Sequence, residues 1–139
     1  MELKKLLTVV GISLMTAVVL PLVAQDGRTM PQIMKEIGGS VGETKKAFEG
    51  GNKEAVASNG EKLEKLFKEV EVFFAKRRGA DDAVESAKTA QAFAKELNGE
   101  ATSGTKQGAQ TALGKVSGSC KGCHDAHREK LPDGGYKIK

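Results

Sequence analysis

The chain contains two cysteines, Cys120 and Cys123, and a histidine follows the second directly. The run Cys120-Lys121-Gly122-Cys123-His124 therefore sets two thiols three residues apart beside an imidazole. Thiols at this spacing reach the two vinyl groups on one side of a porphyrin and hold it through thioethers, the C-x-x-C-H pattern of covalent haem attachment. The adjacent imidazole then projects toward the iron, which makes His124 the candidate proximal ligand. Three other chemistries use similar residues. A thioredoxin-like redox pair needs its C-x-x-C between a strand and a helix of an α/β sheet, and no strand is legible here. Zinc held by Cys120, Cys123, His124 and His127 would crowd four ligands into two helical turns, a poor tetrahedron. A Cys120–Cys123 disulfide would close a very small loop, add little stability and leave His124 unexplained. Covalent haem uses both thiols and the imidazole together.

Such a motif works only on an element that points it inward. Ahead of it, Ala109, Ala112, Leu113 and Val116 recur at helical spacing. Positions i, i+3 and i+4 share one helix face, so Cys120, Cys123 and His124 continue that apolar stripe. The pattern predicts a helix from near Ser103 or Thr105 to about Lys130, before Leu131-Pro132 and the Asp133-Gly134-Gly135 turn. Three more helices precede it. The first spans about Met30 to Phe48, with Thr29 as cap and Pro31 in the first turn; its stripe is Met30, Ile33, Met34, Ile37, Val41 and Phe48. The second spans about Asn52 to Arg78 around Val56, Leu63, Leu66, Phe67, Val70, Phe73 and Phe74, with Lys and Glu on its solvated faces. The third spans about Asp82 to Leu97 around Ala83, Ala87, Ala90, Phe93, Ala94 and Leu97, and Asn98-Gly99 is expected to stop it. No segment alternates as a strand, and the polar tail 134–139 is expected to fray. Four amphipathic helices with short connections pack as an all-α, antiparallel up-down four-helix bundle.

The length, 139 residues, suits one domain. The start Met1-Glu2-Leu3-Lys4-Lys5, the apolar run Leu6 to Ala24 and polar Gln25 read as a secretory signal peptide over residues 1–24. The domain then covers 25–139 and is exported, to the periplasm or beyond. The alternative is an uncleaved membrane anchor, since the run is nearly long enough to span a bilayer. The net charge of +4 comes without an Arg-rich, aromatic-interleaved stripe, so it is no argument for nucleic acid and no such partner is expected. With no Trp, one Tyr and five Phe, the core is thin; a buried apolar macrocycle would add the missing area.

A C-x-x-C-H motif near the C-terminus, on the last of four helices, resembles the class II cytochromes c. That family contains cytochrome c′ and its low-spin relatives, whereas class I cytochromes carry the motif near the N-terminus. The resemblance rests on Cys120-Lys121-Gly122-Cys123-His124-Asp125-Ala126-His127-Arg128 and on Ile33-Met34-Lys35-Glu36-Ile37-Gly38 in the first helix. It implies one covalent haem c and an electron-transfer protein rather than an enzyme. It also implies Met34 as the distal iron ligand through its thioether, although a Met on an apolar stripe also serves as core filler. Met30, one turn earlier, is the reserve; with neither, the iron is five-coordinate and the protein binds small gases such as NO or CO. Arg128 matches the basic residue that commonly follows the motif and is a candidate propionate contact, or else a solvated charge at a helix end. His127 stands where relatives often have an aromatic and reads as a packing residue. The family further implies redox partner proteins and a homodimer through the first two helices. Lys106, Lys115, Lys121 and Lys130 are expected to ring the exposed haem edge and meet an acidic patch on the partner.

Overall fold

Thr29 and Pro31 open the first helix of the computed structural model, which describes residues 27–139. The signal segment expected over residues 1–24 lies outside the described residues. Helix α1 (Met30–Glu49) starts where the Thr29 N–H donates to Gln32 Oε1 at 2.8 Å, satisfying an otherwise unpaired donor. It ends at Gly50, and Gly51 takes a positive φ of 67° that a side chain would resist. Helix α2 (Lys53–Ala75) is capped by Asn52, whose Oδ1 accepts from the Ala55 N–H at 3.0 Å. It stops three residues before the predicted end at Arg78. The Arg77 N–H turns back to Phe74 O at 2.9 Å, and Gly79, at φ 72°, reverses the chain.

Helix α3 (Asp81–Ser103) carries Asp81 and Asp82 in its first turn, where carboxylates complement the helix dipole. It runs six residues past Leu97, the end expected from the stop at Asn98-Gly99. Asn98 does not turn on its own backbone; its Nδ2 donates across to Ala57 O of α2 at 2.9 Å. Leu97 is fully buried and Ala101 packs on the core, so tertiary contacts carry the helix through a local stop signal. Helix α4 (Lys106–His127) is capped by Thr105, whose Oγ1 accepts from the Gly108 N–H at 2.9 Å.

The end of α4 departs from expectation. The helix stops at His127 rather than near Lys130, and a small hairpin follows. Strand β1 (Arg128–Lys130) pairs antiparallel with β2 (Tyr136–Ile138), Arg128 opposite Ile138 and Lys130 opposite Tyr136. Gly134, at φ 87°, makes the turn, and the Leu131 N–H donates to Gly135 O at 2.7 Å. The tail is tied down instead of frayed. The Lys139 N–H donates to His127 O at 3.0 Å, Arg77 Nη2 donates to Lys139 O at 3.1 Å, and Ile138 packs against the core.

The helices pack in chain order as a four-helix bundle, α2 on α3, α3 on α4 and α1 on α2, while α1 and α4 scarcely touch. Leu63, Phe74 and Leu97 are the large side chains at the centre of the core; burying each is worth about 1.5–3 kcal/mol. The alanines of α3 (Ala83, Ala87, Ala90, Ala94) let its two neighbours approach closely. Between α1 and α4 the opposite holds. Gly38 on one side and Gly114 and Ser117 on the other are too small to fill the gap.

Candidate functional site

That gap is a cavity of about 330 Å³. Phe67 and Val70 of α2 and Ala87 and Ala90 of α3 form its floor, and Ile37 and Val41 line the α1 side. From α4, Cys120, Cys123 and His124 all face it; from α1, so does Met34. The i, i+3, i+4 spacing on the last helix thus brings the motif together on one cavity wall. Met34, Ile37, Val41 and Lys45 follow helical spacing and form the facing wall.

Both thiols are half-buried and free. Cys120 Sγ donates to Val116 O at 3.5 Å. Burial pushes both thiols above their ordinary value, and for Cys123 the nearby Asp82 carboxylate adds to the rise. Both therefore stand as neutral S–H groups at neutral pH. Burial first, and the Arg128 cation second, lower the pKa of His124. Its imidazole is accordingly neutral, the form whose lone pair can bind a metal.

The other residues singled out from sequence lie elsewhere. Met30 is 4 % exposed in the core and does not line the cavity, which separates it from Met34. The Arg128 guanidinium stacks over the Tyr136 ring at 4.0 Å from its centroid, on the hairpin and not in the cavity wall. His127 packs its ring on Phe74 at 5.4 Å, and its Nε2 lies 2.9 Å from both carboxylate oxygens of Asp82. Among the described residues, no three His, Cys, Asp or Glu side chains converge as a metal site. Of the four lysines, two form ion pairs. Lys115 bonds Glu96 at 2.7 Å beside Phe93, and Lys121 pairs with Asp125. Lys106 begins α4 and is separated from Cys120 by about 21 Å of helix.

Sequence reasoning missed Lys45, Ser86, Ser117 and Ser119, which also line the cavity. Lys45 falls four residues after Val41 on the stripe of α1, a signal hidden because a lysine reads as solvated surface. The serines carry no periodic signal of their own.

The cavity volume falls within the 300–1,000 Å³ range of small-molecule and cofactor sites. Its walls are mainly apolar, and its converging groups include two neutral thiols, an imidazole and a thioether. This donor set fits haem c, with Cys120 and Cys123 positioned to hold the ring and His124 to bind its iron. Among the described residues no helix is long and apolar enough to cross a membrane. Residues 78–128 match the family model described as Cytochrome C′, a stretch from the α2–α3 turn through all of α3 and α4, motif included. Neither the curated proteins nor the solved structures compared with the chain gave a match. The four-helix bundle, with this match over its last two helices, is consistent with the class II cytochrome c family, that of cytochrome c′, a family that holds haem c covalently.

Proposed function

We propose that the protein is an exported carrier of single electrons that holds one haem c with its iron between His124 and Met34. The observation that carries the reading is that Met34 lines the same cavity as Cys120, Cys123 and His124, from the helix across the gap. Haem supplies the one-electron iron couple when attached. Cys120 and Cys123 fix its position through thioethers, and His124 presents a neutral nitrogen. A thioether opposite an imidazole favours the reduced iron and raises the potential, which suits electron transfer. Ile37, Val41, Phe67 and Val70 give the site apolar surface, which lessens the solvent rearrangement that accompanies a change of one charge. The charged start and apolar run of residues 1–24 support export through a cleaved signal peptide.

The partner is a redox protein with an acidic face. Lys121, within the motif and strongly exposed, supports this reading, and such contacts are small and salt-sensitive. A second reading is favoured by the match to the cytochrome c′ description: a five-coordinate haem that binds NO or CO, with Met34 only a wall of the cavity. Optical spectra of the purified protein separate the two. Sharp α and β bands on reduction, with a sulfur–iron charge-transfer band at the red end of the visible when oxidised, support the carrier. Broad high-spin bands in both states refute it in favour of gas binding.

A further inference from the structure

The cavity does not end at the motif. It opens into a second, wider groove of about 600 Å³ that continues between α1 and α4 past Phe48 and Leu113. Lys45 and Ser117 line both spaces, one from each helix, and so stand at the junction of the apolar interior and the open groove. Among the described residues no Asp or Glu lines the inner cavity and Lys45 is its only lysine or arginine, whereas Glu49 and Lys106 line the outer groove. Among the described residues Lys45 makes no ion pair. An unpaired cation and a hydroxyl that both line the mouth of a mainly apolar cavity can together bind a carboxylate.

We propose that Lys45, assisted by the Ser117 hydroxyl, holds a propionate carboxylate of the haem. The inference rests on the haem reading above and deepens it. The vinyl half of the porphyrin is the half that Cys120 and Cys123 hold, so the carboxylate half lies away from them. Apolar walls cannot accommodate an ionised carboxylate without a partner. Those groups must therefore reach the mouth, where Lys45 stands. Lys45 lies about 16 Å along α1 from Met34, and helical side chains lean back toward the N-terminus, which carries its ammonium group toward the cavity. Arg128, the residue singled out from sequence for this task, stacks on Tyr136 and is not among the residues lining the cavity.

The test uses the intact holoprotein with Lys45→Gln, Lys45→Arg, Ser117→Ala and Arg128→Gln. It reads the propionate bending band in resonance Raman spectra and the reduction potential. Lys45 is exposed, so its replacement does not threaten folding. Lys45→Gln shifts the band and lowers the potential, because a cation beside the ring favours the less positive, reduced iron. Lys45→Arg keeps both near the wild type, Ser117→Ala shifts the band less, and Arg128→Gln leaves it in place. A Lys45→Gln protein with an unmoved band overturns the proposal even if its potential falls, since any nearby surface charge moves the potential. A band that moves in Arg128→Gln instead also overturns it. Wild-type protein without covalent haem on a denaturing gel overturns this proposal and the haem reading together, whereas attached haem with an unmoved band overturns this proposal alone.

Discussion

His127 Nε2 sits 2.9 Å from both carboxylate oxygens of Asp82, joining the last turn of α4 to the first turn of α3. The link crosses the bundle beside the motif, one turn beyond His124. The hydrogen bond from His127 is the main cause holding the Asp82 carboxyl below its ordinary value. A folded-state pKa below the unfolded one contributes stability above the unfolded value, about 4, and loses it as pH falls through the depressed value. Asp82→Asn should therefore lower Tm near neutral pH, and the deficit should close on acidification toward about pH 2. Thermal melts across that range check it; a deficit independent of pH would show that the carboxylate charge is not what matters.

Gly60 and Gly99 should respond to alanine in opposite directions. A Cβ on Gly60 would lie 2.9 Å from Asn98 N and 3.1 Å from Ala94 O, both backbone atoms of α3 that cannot step aside cheaply. The overpacking cost, about 1–3 kcal/mol, exceeds the helix-propensity gain of about 1 kcal/mol. Gly60→Ala should then destabilise, while Gly99→Ala, with open space around its Cβ, should stabilise by roughly 0.5–1 kcal/mol. Denaturant unfolding of the two variants gives the comparison directly.

Thr105→Ala removes the hydroxyl that accepts from the Gly108 N–H at the start of α4. The expected loss is about 1 kcal/mol, measured by the same unfolding experiment. Thr105→Ser, which keeps the acceptor, should recover most of it.

Deleting residues 131–139 removes β2, the Lys139–His127 backbone bond, the Arg77–Lys139 bond and the Ile138 contact with the core. Hydrogen exchange should quicken in the last turn of α4, around His124 to His127, and stay near wild type in α2. Unchanged protection in that turn would mean that the hairpin does not hold it.

The four helices and the grouping of the motif were legible because apolar periodicity survives wherever a face is buried. Elements that depend on contacts from elsewhere in the chain were not. Asn98-Gly99 reads as a stop, yet the bond from Asn98 to Ala57 and the burial of Leu97 carry α3 onward. The hairpin escaped notice because strands of three residues are too short to alternate. Its stability comes from Arg128 stacked on Tyr136, from the Lys139 N–H bond to His127 O at the end of α4 and from the Arg77 side-chain bond to Lys139 O. Within the site, Met34 and the motif announced themselves by residue type, whereas Lys45 and Ser117 did so only once α1 and α4 were seen to stand apart.

The most direct measurement is the visible spectrum of the holoprotein and of Met34→Ala, each oxidised and reduced. Iron held between His124 and Met34 gives a low-spin wild type with sharp reduced bands and a sulfur–iron charge-transfer band. In Met34→Ala that band is lost and the spectrum becomes high-spin, while the haem stays covalently attached through Cys120 and Cys123. A wild type that is already high-spin, or a Met34→Ala spectrum unchanged from it, would contradict the ligation.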